Sequence, residues 1–448
     1  MRGSGCVPGA RRTAVKVPAV SVIVALVALP CAPPASAVAP PPIDSSLLPP
    51  PAVAAPTEPT EQRTPCAVLS QTARDVRAHQ LDGVDLPSLW QLTRGAGQRV
   101  AVIDTGVQPH SRLAAVVNGG DYVSIGDGRQ DCDGHGTLVA GIIAAQPDDT
   151  DRSGFAGIAP DATVIAIRQS STMFGPVSDP SVRGSGDVET LAKAVRTAAD
   201  MGASVINISS VACADGMLDD RVLGAALSYA VDVKDAVVVA AAGNVGGPGQ
   251  CSGQNTGGQT TVISSPAWYD DYVLTVASVD SDGNPSSFSL HGPWVDVAAP
   301  GEAIVSLDRS GSGIADTMPG SYGPQPISGT SYAAPMVSGL AALVRARFPQ
   351  LTARQVMARI ESSAHKPSRG WDSAVGTGVV DALAALNDQP APSPAPAPAS
   401  FDVPAESPAK DSSARGVLGM GAALCLIGLA AAASTRLRRG SPDDIPRC

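Results

Sequence analysis

Apolar and polar positions alternate in a repeating form over residues 85–388. Short apolar runs end abruptly at Gly, Asp or Pro: Val100–Ile103, Val164–Ile167, Val205–Ile208, Val237–Ala241 and Val273–Val276. Runs this uniformly apolar and β-branched predict strands buried on both faces. Between them lie helical segments at His135–Ala145, Asp187–Met201 and Arg221–Val233. A further helix starts at Ser331 and runs to about Arg347, with Pro335 expected in its first turn, where amide donors are free anyway. Strands alternating with helices predict an α/β fold with a mostly parallel sheet covered on both faces. In such sheets, sites gather at the C-terminal ends of the strands.

The two ends of the chain follow other patterns. Arg11, Arg12 and Lys16 precede the apolar run Val17–Leu29, and Ala35-Ser36-Ala37 has the small-x-small form of a signal cleavage site. Residues 1–37 therefore read as an export signal removed after Ala37. Gly416–Ser434 holds no charge and approaches the ~20 residues that cross a bilayer as a helix. Arg436, Arg438 and Arg439 follow it, which keeps that end in the cytoplasm and the body outside. The organisation expected is a signal at 1–37, a Pro-rich extension at 38–84 and a folded body at 85–388. A Pro-rich tether at 389–415, a membrane helix at 416–435 and a cytoplasmic tail at 436–448 complete it. Neither Pro-rich stretch is expected to bury a core.

Composition sharpens this picture at three points. Aromatics are only 3% of a chain that is 44% hydrophobic, so the core must be built from Ala, Val, Ile and Leu. The net charge is −10, and both ends are basic, so the body is more acidic than the whole. Such a body has no basic surface for phosphates, which excludes nucleic acid as a partner. Of the eight cysteines, Cys6, Cys31, Cys425 and Cys448 lie towards the ends. Cys66, Cys132, Cys213 and Cys251 remain; an even number outside the cytoplasm suggests two disulfides, in any of three pairings.

Candidate chemistry sits in four segments. Val100–Gly106 reads as a buried strand ending in Asp104, then Thr105 and a Gly turn. Asp133-Gly134-His135 opens a helix of small and apolar residues. Gly329-Thr330-Ser331 opens another, whose N-terminus favours negative charge developing beside the hydroxyl. Val237–Asn244 is a buried run ending in a side-chain amide. Asp131-Cys132-Asp133-Gly134 hints at a calcium loop, but Ile142 stands where a bidentate Glu would be needed, and His291 fails the same test for Asp280–Gly283. No metal and no cofactor is expected. A Ser hydroxyl is a poor nucleophile without an imidazole base, which itself needs a carboxylate to hold its tautomer. Asp104, His135 and Ser331 supply all three, in the chain order of subtilisin rather than of chymotrypsin or the α/β-hydrolases. Asn244 and the Ser331 backbone N–H can donate to an oxyanion.

These motifs, VIDTG, GHGTLVAG, AAAGN and GTSYAAPMVSG, resemble those of the subtilisin-like serine proteases, the subtilases, from about Val100 to Leu386. The resemblance implies a three-layer α/β/α fold and assigns Asp104, His135 and Ser331 to the triad and Asn244 to the oxyanion hole. It also implies that Ser209, Ser210 and Val211 pair with an extended peptide, while Ala241, Ala242 and Gly243 line the main specificity pocket. Val211 stands where many members have Gly, which should crowd the cleft and narrow the substrate range. Leu138 replaces a second His of the motif, without consequence for the chemistry.

The layout most resembles the mycosins, the subtilases of mycobacterial type VII secretion systems. That likeness implies Cys66–Cys132 and Cys213–Cys251 disulfides and a type VII secretion membrane complex as partner. Residues 38–99 are too short and Pro-rich for the folding propeptide of ordinary subtilases, so the segment is expected to wrap the domain permanently. The loops Gln169–Gly186 and Val245–Thr261 are expected to border the cleft or meet partners. Two other roles compete with trimming of exported substrates: a mainly structural part of the secretion complex, and a leader peptidase for secreted antimicrobial peptides.

Overall fold

Five β-branched runs form the middle of one seven-stranded sheet in the computed structural model. The model describes residues 38–388 apart from 72–75, 248–250, 321–322 and 369. The expected signal, tether, membrane helix and tail therefore lie outside the described residues. Among the described residues, no helix is long and apolar enough to cross a membrane. The strands are β1 (Arg99–Asp104), β2 (Val116–Asp121), β3 (Thr163–Arg168), β4 (Val205–Ile208), β5 (Val237–Ala241), β6 (Leu274–Val279) and β7 (Val297–Pro300). Their spatial order is β7-β6-β5-β4-β1-β3-β2, and every neighbouring pair is parallel.

The five runs legible in the sequence are the five central strands. The two that were not legible, β2 and β7, are the edges. Central strands are buried along nearly their whole length, which favours apolar residues, many of them β-branched, on both faces. β2 reads VVNGGD, broken by Asn and two glycines, and β7 reads VAAP, a short Ala-rich run whose outer side is covered by Gly378–Val380.

Six helices matter for the site: α1 (Leu86–Leu92), α2 (His135–Ala144), α3 (Val188–Asp200), α4 (Arg221–Ser228), α5 (Thr330–Arg347) and α6 (Ala353–Ser363). α2 packs on α5 and α3 packs on α4, and both pairs contact the sheet, which gives three layers. α2 is buried from Gly136 to Ala144 and α5 from Thr330 to Val344, so neither needs a polar face. α3 is amphipathic and starts in a capping box between Asp187 and Thr190. The segment expected as one helix over Arg221–Val233 is α-helical only to Ser228, then closes in a π-turn over Tyr229–Val233.

The Pro-rich arm lies against the body and builds no core of its own. Val38, Ile43, Leu48 and Ala54 pack against the core, and Ala67 and Leu69 are buried. Thr60–Gln62 pairs antiparallel with Phe174–Pro176 from the first of the two loops. A Pro-rich chain cannot build a core, but its single apolar side chains can be buried on one that already exists. Disulfides join Cys66 to Cys132 and Cys213 to Cys251.

Candidate active site

β1 delivers Asp104 to the C-terminal end of the sheet, where it is only 1% exposed. α2 begins at His135 beside it. The close approach depends on Gly136, where a Cβ would lie 2.0 Å from the Gly106 carbonyl oxygen. His135 Nδ1 is 2.7 Å from Asp104 Oδ1, and His135 Nε2 is 3.0 Å from Ser331 Oγ. A carboxylate only accepts, so Nδ1 carries the proton and Nε2 is left to accept from the serine hydroxyl. Burial of the ring opposes its protonation. The charge and hydrogen bond of Asp104, with Asp131 and Asp133 behind, outweigh burial and hold the imidazole above its ordinary value.

Ser331 is the second residue of α5, after Gly329 as N-cap and Thr330. Pro335 is not in the first turn as expected; it lies one turn further in. Without an N–H it cannot bond the carbonyl four residues back, which is that of Ser331. The Ser209 hydroxyl takes that place, donating to the Ser331 carbonyl at 2.8 Å. Asn244 follows β5. Its Oδ1 accepts from the Thr330 N–H at 2.9 Å and the Thr330 hydroxyl at 3.1 Å, which turns Nδ2 towards the serine. A Cβ on Gly329 would lie 3.1 Å from Ser331 Oγ and 3.4 Å from Asn244 Nδ2. The nucleophile and the amide donor thus flank one small space that glycine keeps clear. Such a space suits the oxygen of a carbonyl under attack.

The model of the subtilase family matches residues 95–378. The chain belongs to the subtilases. Within them it belongs to the mycosins: mycosin-4 of Mycobacterium tuberculosis is 57% identical across 92% of this chain and 93% of that protein. The solved MycP3 protease from the type VII (ESX-3) secretion system superposes with a TM-score of 0.73 at 47% identity. The match covers 79% of this chain and 100% of that one. A chain in the structure of an intact ESX-5 inner membrane complex gives a TM-score of 0.74 at 39% identity, covering 89% of this chain and 100% of that one. As a subtilase, the protein is a serine endopeptidase, and the subtilisin-like α/β fold expected from its motifs is the fold observed.

The remaining predicted residues of this subtilase divide into two groups. Ala241, Ala242 and Gly243 are buried at the end of β5, and the Gly243 N–H donates to the Thr330 hydroxyl at 3.2 Å. Ser209 is buried, and its side chain faces inward to Asn207 and the Ser331 carbonyl rather than to the cleft. Ser210 and Val211 are half-buried and lie outside any strand, just before the ribbon in which Ala212–Asp215 pairs with Val262–Ser265. Both expected border loops touch the site's surroundings. Ser171 and Thr172 bond Asp133, and Cys251 packs behind Gly243, 3.2 Å from where its Cβ would be.

Sequence reasoning missed several supporting residues. Asp131 is buried and accepts from the Thr105 hydroxyl, the Gly134 N–H and both the N–H and hydroxyl of Thr137, at 2.6–2.9 Å. Burial pushes its carboxyl up to about 6, against the pull of these donors. Thr105 Oγ1 in turn accepts from the Gly136 N–H at 2.9 Å. Tyr332 lays its ring 5.0 Å from that of His135. Thr105, Thr330 and Tyr332 sit inside the quoted motifs and could have been found there. Arg309, which donates to the Asp131 carbonyl at 2.8 Å, carries no local signal at all.

Proposed function

We propose that Ser331 is the nucleophile of an exported, membrane-tethered endopeptidase that works on few substrates at a type VII secretion complex. The observation that carries this reading is the unbroken line from Asp104 through His135 to Ser331. Nε2 of His135 takes the hydroxyl proton as Ser331 Oγ attacks a peptide carbonyl. Asp104 holds the ring and balances the imidazolium charge. Asn244 Nδ2 and the Ser331 N–H receive the oxyanion. His135 then returns the proton to the leaving amine, and water releases the acyl group by the same steps in reverse. Ser209, Ser210, Val211 and Ala241–Gly243 receive the extended peptide, Ser209 through its backbone alone, and the Val211 side chain narrows what fits.

The place of action rests on the mycosin relationship, on the likeness to a chain of the ESX-5 inner membrane complex, and on the two apolar end segments of the sequence. That same likeness favours a second role, as a part of the complex whose presence matters apart from proteolysis. Ser331→Ala separates the two. Reporter-peptide hydrolysis should fall by ~10⁶, the loss such a change causes in subtilisin, and labelling by a fluorophosphonate should disappear. Secretion that survives Ser331→Ala but fails on deletion of the protein marks the structural role. Retained hydrolysis in the alanine variant sinks the catalytic reading.

A further inference from the structure

Resting on that catalytic reading, we propose that the arm segment Cys66–Ser70, with Arg309, is a positioning clamp for the general base His135, so that the N-terminal extension is a working part of the active site. The segment alternates: Ala67 and Leu69 are buried, and Val68 between them is 76% exposed. The Ala67 N–H donates to the Cys132 carbonyl at 2.8 Å, beside the Cys66–Cys132 bridge. Arg309 spans the seam. Its Nε donates to the Asp131 carbonyl at 2.8 Å and its Nη1 to the Ala67 carbonyl at 3.1 Å.

Leu69 and Arg309 bear on the residue before the base. Gly134 has φ +82°, and a Cβ there would lie 2.9 Å from Leu69 Cδ1 and 3.3 Å from Arg309 Cδ. Gly134 is thus boxed between arm and body at the turn that aims His135. The clamp continues past Leu69. Ser70 exchanges backbone bonds with Thr317 at 3.1 and 3.2 Å, and their hydroxyls are 2.8 Å apart. The next residue, Met318, takes the Tyr332 hydroxyl on its sulfur at 3.9 Å, and the Tyr332 ring lies against His135. One continuous set of contacts therefore runs from the arm, around the imidazole, to the neighbour of Ser331.

A segment that only glued the arm down would bond any part of the body. This one ends on the residue before His135 and on the aromatic ring beside it. Loosening it lets the ring drift from the Asp104–Ser331 line, and proton transfer is sensitive to displacements of about 1 Å.

The test uses the full exported chain with Arg309→Met, Arg309→Lys and Leu69→Ala. Each is assayed on a reporter peptide well below its own melting temperature, with active sites counted by fluorophosphonate. Arg309→Met and Leu69→Ala are expected to lower kcat about tenfold with KM within about twofold. The rate of fluorophosphonate labelling should fall by the same factor. Arg309→Lys, which keeps a donor to the Asp131 or Ala67 carbonyl, should recover part of the loss. Variants that melt earlier but keep the wild-type kcat and labelling rate overturn the clamp and leave a stabilising arm. A wild-type chain that neither labels at Ser331 nor cleaves any peptide overturns the catalytic reading instead, and the clamp with it.

Discussion

The two walls of the cleft are built differently. The wall that holds Asp104 and His135 is densely bonded. Asp131 and Asp133 behind it accept from Thr105, Gly134, Thr137, Ser171 and Thr172. The opposite wall is bonded at its root, where Ser209, Gly243 and Asn244 hold the start of α5. Beyond that root, Ser210 and Val211 are half-buried and belong to no strand. The difference separates two demands on one site. Proton transfer needs atoms held to fractions of an ångström, so its wall is sealed by internal partners. Under the proposed function, the open backbone at Ser210 and Val211 serves peptide recognition by strand addition.

The contrast can be broken first at its deepest point. Asp104→Asn replaces an acceptor by a group that can donate, which favours the wrong tautomer of His135. A fall in kcat of ~10⁴ is expected, measured by steady-state kinetics on a short chromogenic peptide. A loss of less than tenfold would mean that the carboxylate merely buttresses the ring. Next is the hinge between the walls. Asn244→Ala should lower kcat by ~10²–10³ while KM stays nearly constant, because an oxyanion donor acts on the transition state. A pure KM effect would reassign Asn244 to ground-state binding.

The open wall should respond more gently. Val211→Gly is expected to leave cleavage of the best peptide nearly unchanged. It should raise kcat/KM for bulkier peptides about tenfold, the scale of a small change in an apolar pocket. Equal effects on every peptide in a size series would remove Val211 from the specificity wall. The smallest effect is in the pH dependence. His135 must be neutral to accept the Ser331 proton, and its pKa lies above the ordinary imidazole value. The acid limb of kcat/KM should therefore have its midpoint above that value, and a midpoint at or below it contradicts the bonded-wall picture. The stability linked to His135 has the opposite sense. It is fully present at pH below the unfolded-state imidazole pKa and is lost as pH rises through the raised folded-state value.

The clamp explains why the sealed wall reaches beyond the motifs. Leu69 and Arg309 come from chain segments far from His135, yet they bracket the glycine that precedes it. The arm was expected to lie on the domain as an extension without a core. Within it, the proposed clamp assigns Cys66–Ser70 to the side of the site that holds His135.

Legibility followed the range of the forces. The five central strands could be read because burial on both faces favours apolar, largely β-branched runs at those positions. The edge β2 is interrupted by Asn118 and two glycines, and β7 is too short and Ala-rich to stand out, so both were missed. The triad and Asn244 could be read because each stands where a strand ends or a helix begins. The inward turn of Ser209 could not: it follows from Pro335 leaving the carbonyl of Ser331 unpaired, 122 residues beyond Ser209.

The sequence by itself determined the central sheet, the chemistry and the order of the reacting residues, because these depend on local pattern and residue type. Only the tertiary structure decided how those residues are held. Arg309 meets its partners across 178 and 242 residues of chain, and Ser70 meets Thr317 across 247. Contacts of that span leave no periodicity and no spacing in a single sequence. They arise when the folded core brings the arm, the turn before His135 and the hairpin after Asp316 to one place, where unpaired polar groups must find each other or remain unsatisfied.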